Sequence, residues 1–268
     1  FGFLGPMFAA GDWPFYALAV FGLARTKAGA RYPTETMAVL WLGAALCGVM
    51  TGLFLFPHYF LQAYPALALA AAVGVQRLVE ARPGRRAAWL VAALSVYPVC
   101  VRARAYFVDP PQVTARRLLY PNPLYESMAI AGYIRSRTAP SDPIYIYGSE
   151  TQIYVYAGRR CATRHIFSYP LTLFPRNRAD IDAELARLRD AAPRIIVYSA
   201  QPFSTLISSR LGLGFRDGIR GLLRERYRWI GRVEVRPEGS RYELDPSLFP
   251  GREPDLDSPE CLFIFERL

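Results

Sequence analysis

Phe56-Pro57-His58-Tyr59-Phe60-Leu61-Gln62 is the stretch that decides how this chain is read. Thr34–Phe56 before it is almost wholly apolar, and so is Tyr59–Val75 after it. Only Pro57 and His58 lie clearly between the two runs. Each run approaches the ~20 residues that cross ~30 Å of hydrocarbon. The spacing predicts two membrane spans joined by a very tight turn, with His58 held at the lipid–water boundary.

Working outward, two further apolar segments complete a set of about four spans. Trp13–Ala24 precedes the pair, with Asp12 at its boundary, and Ala87–Val101 follows it, with Pro98 inside. The competing reading of the last segment is an interfacial helix. Arg25, Lys27 and Arg31 follow the first span, and Arg77, Arg82, Arg85 and Arg86 follow the third. No Lys or Arg marks the His58 turn. The positive-inside rule then puts the first and third loops in the cytoplasm, and the His58 turn and everything after the fourth span outside. Arg102 and Arg104 fall on the wrong side of this scheme, but the large domain behind them weakens the rule there. Trp13, Tyr59 and Tyr106 stand at boundaries, where interfacial aromatics belong.

Charge separates the chain into two parts. Residues 1–106 hold 9 Lys/Arg and 3 Asp/Glu (net +6); residues 107–268 hold 23 and 19 (net +4), giving the total of +10. The expected organisation is 1–106 as the C-terminal part of a transmembrane helical domain and 107–268 as an extracytoplasmic domain. Basic residues of the second part interleave with acids and form no stripe with stacking aromatics, which argues against a nucleic-acid partner. The sequence opens at Phe1 in apolar residues, without Met or a basic leader. It is therefore expected to be a fragment of a longer membrane protein.

In the second part, Pro110, Pro111, Pro121 and Pro123 predict an extended linker. Leu124, Met128, Ala131 and Ile134 form a helical stripe. Ile144–Tyr147 is a short strand ending at Gly148. A helix over 179–190 turns Ile181, Leu185 and Leu188 inward and stops at Pro193, and Arg194–Tyr198 follows as a buried strand. A third helix, Phe215–Tyr227, precedes strands at Trp229–Val235 and Cys261–Phe265; Ser240–Glu260 reads as a surface loop. Helices alternating with short apolar strands predict a small α/β domain with a mainly parallel sheet.

His58 and Tyr59, with Gln62 on the next turn, are the first candidate site: a polar pair at the membrane face suits a lipid phosphate or a sugar hydroxyl. The plainer account is a helix cap and an interfacial anchor. The second candidate is the polar segment after the 144–147 strand. Ligands gather at carboxyl ends of strands in open α/β sheets. Glu150 suits a sugar hydroxyl or an arginine, and Arg159, Arg160 and Arg164 suit phosphate; a solvated surface or a contact with the membrane part is the competing account. No GxGxxG, GxSxG, HxxxH or CxxC element occurs, and His58 and His165 lie far apart. No cofactor or metal site is expected, with a divalent metal left open. Cys161 and Cys261 are read as free thiols, although an extracytoplasmic location permits a disulfide between them.

The 56–62 run, followed by Pro65 and an Ala/Leu-rich span, resembles the late membrane region of bacterial GT-C glycosyltransferases of the protein O-mannosyltransferase and aminoarabinose-transferase-like group. Tyr145-Ile146-Tyr147-Gly148-Ser149-Glu150-Thr151-Gln152-Ile153-Tyr154, with Gly158-Arg159-Arg160 and Thr163-Arg164, is similar to their extracytoplasmic domain. The resemblance implies transfer of a sugar from a polyprenyl-phosphate donor to a lipid, glycan or protein acceptor outside the bacterial cytoplasmic membrane. The chemistry implied is an inverting displacement with a carboxylate as general base. His58, Tyr59 and Gln62 would bind the donor, and Glu150, Arg160 and Arg164 the substrate. The family's catalytic Asp belongs to an early outside loop that this fragment lacks, so no catalytic residue is assigned here and the fragment alone is expected to be inactive. An arginine that often precedes the His-Tyr turn is absent; Gly52 is followed by Leu53-Phe54-Leu55. A non-catalytic scaffold or transporter component, and a binding domain on a hydrophobic anchor, are the rival classes.

Overall fold

A computed structural model describes residues 4–24, 33–51, 57–81 and 84–268. The chain divides into two compact units, Phe1–Asp109 and Pro110–Leu268. The first loop arginines, Arg82 and the Gly52–Phe56 stretch lie outside the described residues.

The first unit is helical: α1 (Leu4–Leu23), α2 (Pro33–Thr51), a 3-10 helix (Pro57–Ala63) that runs into α3 (Tyr64–Ala81), and α4 (Arg85–Ala103), which ends in a π-helical turn (Arg104–Val108). Three segments are long and apolar enough to cross a membrane: Thr34–Thr51, Tyr59–Ala81 and Arg85–Val108. The fourth expected span falls on α1, a 20-residue helix that does not reach the same hydropathy among the described residues. Asp12 sits inside α1 and lowers its apolar character.

Small residues set the packing. Ala66, Ala70 and Gly74 recur every fourth residue on α3 and are buried. A Cβ on Gly74 would lie 2.1 Å from the Leu18 carbonyl oxygen, and one on Gly22 would lie 2.2 Å from that of Ala70. α1 and α3 thus meet backbone to backbone, which only such residues permit. α2 runs antiparallel to α3, with Glu35 paired to Arg77 at 2.6 Å near one end and Gln62 lying over Gly48 near the other.

The second unit contains α5 (Pro111–Leu119), α6 (Glu126–Arg137), β1 (Ile144–Tyr147), α7 (Gln152–Ala157), α8 (Tyr169–Thr172), α9 (Arg178–Ala191), β2 (Ile195–Ser199), α10 (Pro202–Thr205), α11 (Arg210–Arg226), β3 (Tyr227–Glu234), β4 (Arg241–Glu243) and β5 (Cys261–Arg267). The predicted proline linker is in part a helix. Pro111 occupies the first turn of α5, where a missing N–H costs nothing. The α6 stripe is also rotated: Ser127, Ile130, Ala131 and Ile134 are buried, and Met128 is exposed.

The sheet has the order β1-β2-β5-β3-β4 and is mixed, not mainly parallel. Among the named strands β1 and β2 pair in parallel, and β2–β5, β5–β3 and β3–β4 are antiparallel. Helical crossovers do carry β1 to β2 and β2 to β3 in one direction, as the alternation of helices and strands implies. The connection from β4 to β5 holds no crossover α-helix. β5 runs antiparallel to β1, β2 and β3 and in the same direction as β4, and it inserts between β2 and β3.

Alternation along the strands makes two different faces. Tyr145, Tyr147, Tyr198, Phe263 and Phe265 turn to α8, α9 and α11, where Phe215, Ile219 and Leu185 pack on them. Ile144, Ile146, Val197, Leu262 and Ile264 turn to α6 and α7. Each fully buried large side chain stabilises the fold by roughly 1.5–3 kcal/mol. β3 changes sides midway. Tyr227 and Trp229 join the aromatic core, then a bulge between Trp229 and Gly231 shifts the register. Ile230 faces the aliphatic core by alternation from Trp229, and the bulge turns Val233 to that same face.

Candidate functional sites

Within the helical unit, a polar cluster lies where α1, α3 and α4 meet. Arg102, on the last turn of α4, donates from both terminal nitrogens to the two carboxylate oxygens of Asp12, at 2.5 and 2.8 Å. The Tyr64 hydroxyl, at the first residue of α3, donates to Asp12 Oδ2 at 3.3 Å. Tyr16, one turn along α1 from Asp12, brings its hydroxyl within 3.2 Å of that of Tyr64. Phe15 stacks on Tyr64 at 5.9 Å, and Trp13 meets Tyr97 edge-on. An open apolar groove between α1, α2 and α3 adjoins the cluster, lined by Tyr16, Val20, Leu23, Leu42 and Leu67.

Asp12, a boundary residue in the sequence, and Arg102, an exception to the charge rule, are each other's partner. The available signal is that each is an isolated charge of opposite sign beside an apolar run. Ionisable groups inside such segments pair or mark a pathway. Fork-to-fork engagement occupies both oxygens of Asp12. As placed, Asp12 is a structural anion and not a free base.

His58, Tyr59 and Gln62 all lie on the 3-10 helix that leads into Tyr64. Tyr59 is half-buried, and Gln62 is exposed with its amide against Gly48.

Within the second unit, Glu150 follows the carboxyl end of β1 and is only 2% exposed. Ser204 Oγ donates to its Oε2 at 2.8 Å and Ser199 Oγ to its Oε1 at 3.2 Å. The Ser149 N–H in turn donates to Ser204 Oγ. Gly148 makes this turn possible. Its φ is +153°, and a Cβ there would lie 2.2 Å from Glu150 Oε2. Ser168 holds Gly148 from the other side, accepting its N–H at 2.8 Å. Burial pushes the Glu150 carboxyl above the usual carboxylate range, opposed by the hydrogen bonds from Ser204, the local backbone and Ser199. The partners Ser199 and Ser204 leave no mark in the sequence near Glu150.

Arg160 and Arg164 are exposed. The Arg160 carbonyl accepts from Ile144 N, beside the amino end of β1, whereas Glu150 follows the carboxyl end. Arg159 is engaged structurally: its Nε donates to Thr138 Oγ1 and a terminal nitrogen to the Thr138 carbonyl, both at 2.8 Å. His165 Nδ1 lies 2.9 Å from Oε2 of the buried Glu184, which also accepts from Arg187. Cys161 and Cys261 are both free thiols. Cys161 contacts the Tyr154 hydroxyl, and Cys261 the Ser258 hydroxyl. Among the described residues no group of three or more His, Cys, Asp or Glu side chains is placed to hold a metal ion.

No protein-family model matches the chain, and comparison with curated proteins and with solved structures found no match.

Proposed function

We propose that this chain is part of an integral-membrane GT-C-type glycosyltransferase. It would move a sugar from a polyprenyl-phosphate donor to a lipid, glycan or protein acceptor outside the bacterial cytoplasmic membrane. The observation that carries the reading is the polarity of the helical unit. Tyr64, Asp12 and Arg102 form a polar cluster beside the Pro57–Ala63 helix, and an apolar groove opens next to Tyr16. An amphiphile with a compact polar head and a long hydrocarbon tail matches that arrangement. The motif resemblance supplies the identity of the amphiphile.

On this reading His58, Tyr59 and Gln62 hold the donor head, and the exposed Arg160 and Arg164 meet an anionic part of donor or acceptor. Glu150, enclosed by serines, shapes the loop after β1. Asp12, with both carboxylate oxygens held by Arg102, is not assigned the role of general base on this reading.

The test is transfer of labelled sugar from polyprenyl phosphate in membranes containing the full-length protein, with and without His58→Ala. Loss of one charge-assisted contact is expected to lower transfer roughly tenfold at unchanged protein level. Unchanged transfer removes His58 from the donor site. No transfer by the wild type with any common donor overturns the reading.

A second reading, a transporter or scaffold component, is favoured by the two ion pairs of the helical unit, Asp12–Arg102 and Glu35–Arg77. Paired charges in apolar helices also mark transport paths. Solute uptake into vesicles that depends on Asp12, without sugar transfer, would establish it.

A further inference from the structure

One face of the second unit combines exposed aromatic side chains with unpaired arginines. Segments 163–179 and 200–216 carry Arg164, Arg176, Arg178, Arg210 and Arg216 and no Asp or Glu. They come together near the carboxyl ends of β1 and β2. The Tyr169 hydroxyl donates to the Phe203 carbonyl at 2.8 Å, and Ser208 Oγ to the Leu173 carbonyl at 2.7 Å. A Cβ on Gly212 would lie 2.3 Å from the Thr172 carbonyl oxygen, so α11 starts directly against α8. On this stitched surface Phe174 is 64% exposed, Phe203 58% and Leu213 39%.

Several arginines elsewhere in the unit are held in ion pairs. Arg194 and Arg228 share Glu266, Arg220 pairs with Asp257, and Arg232 with Glu243. On this face Arg178 and Arg216 pair with Asp182 and Asp217. Arg176 and Arg210 are exposed and make no ion pair among the described residues. Phe174 and Arg176 are two residues apart, and Arg210 and Leu213 lie on one turn of α11.

We infer that this face docks on a bilayer surface rich in anionic headgroups, with Phe174 and Phe203 entering the interfacial layer and Arg176 and Arg210 meeting lipid phosphates. Aromatic rings and arginines together are what that layer binds. Charge is complementary, and the partner is at hand. The unit begins at Pro110, and Arg85–Val108, directly before it in sequence, is long and apolar enough to span a membrane. A tethered surface needs little intrinsic affinity to stay bound, because the tether keeps its effective concentration high. The inference rests on the membrane helices and not on sugar transfer.

The test is hydrogen exchange of the full chain in nanodiscs containing phosphatidylglycerol, in nanodiscs of phosphatidylcholine alone, and in detergent. Segments 168–176 and 201–213 are expected to exchange at least about threefold more slowly over the anionic lipid. Each nearby arginine contributes a few-fold in affinity for such a surface. Arg176→Glu with Arg210→Glu should abolish the difference, and so should Phe174→Ser with Phe203→Ser. Both pairs are exposed, and circular dichroism checks that they leave the fold intact. Equal exchange over the two lipids overturns the proposal. Protection in detergent that rises with protein concentration also overturns it, and assigns the face to a second copy.

Discussion

Arg102 closes a two-pronged ion pair on Asp12 across 90 residues of sequence, joining the last turn of α4 to the interior of α1. The side chains are 30% and 14% exposed, so the pair is largely withdrawn from solvent. In such surroundings a charge left without its partner is costlier than no charge at all.

Removing one member is therefore expected to harm the helical unit more than removing both. Asp12→Leu or Arg102→Met alone should destabilise by roughly 1–3 kcal/mol, less than the ~3–5 kcal/mol of a fully buried pair. The double variant should regain a large share of that loss. Thermal unfolding of the detergent-solubilised chain, run as a double-mutant cycle, measures the coupling. Additive effects would mean that the pair does not hold α1 to α4.

Gly74→Val meets backbone rather than a movable side chain, since its Cβ would press on the Leu18 carbonyl. Separating α1 from α3 should cost at least about 3 kcal/mol, at the upper end of what overpacking costs. Gly43→Ala, where a Cβ meets nothing within 4 Å, serves as the control and should be neutral or slightly stabilising. Monodispersity and melting temperature in detergent report both.

Glu150 carries a pH signature. Its carboxyl binds a proton more readily folded than unfolded, because burial disfavours the anion. This contribution to stability is complete below the ordinary value of 4.5 and is lost as pH rises through the higher folded value. Glu150→Gln keeps an acceptor for the serines and removes the titration, so it should flatten that decline. Glu150→Ala leaves Ser199 and Ser204 without their acceptor and should cost about 1–3 kcal/mol at any pH. Denaturant unfolding from pH 4 upward separates the two variants. A Glu150→Gln curve parallel to the wild type would rule out Glu150 as the titrating group.

What the sequence discloses follows how local each signal is. Ile144–Tyr147 reads directly as a strand, and its alternation already contains the aliphatic and aromatic faces. Ile181, Leu185 and Leu188 likewise specify the inner side of α9 by spacing alone. α5 escapes because a proline can open a helix as readily as bar one. The direction of β5 escapes because nothing within Cys261–Arg267 records which neighbours it meets. Asp12 and Arg102, or Glu150 with Ser199 and Ser204, are partners chosen by the fold across long stretches of chain. Each looks locally like a stray polar residue.

The place of β5 in the sheet also bears on synthesis. It is the last of the five strands in chain order, yet it stands at their centre. During elongation the β1–β2 pair and the β3–β4 hairpin both emerge before the strand that unites them. Until β5 arrives, β2 and β3 each display an unpaired edge lined with apolar side chains, the kind of surface that recruits other chains. A ribosome that stalls or a protease that cuts just before Cys261 would therefore yield two half-sheets with open seams, not a slightly shortened domain.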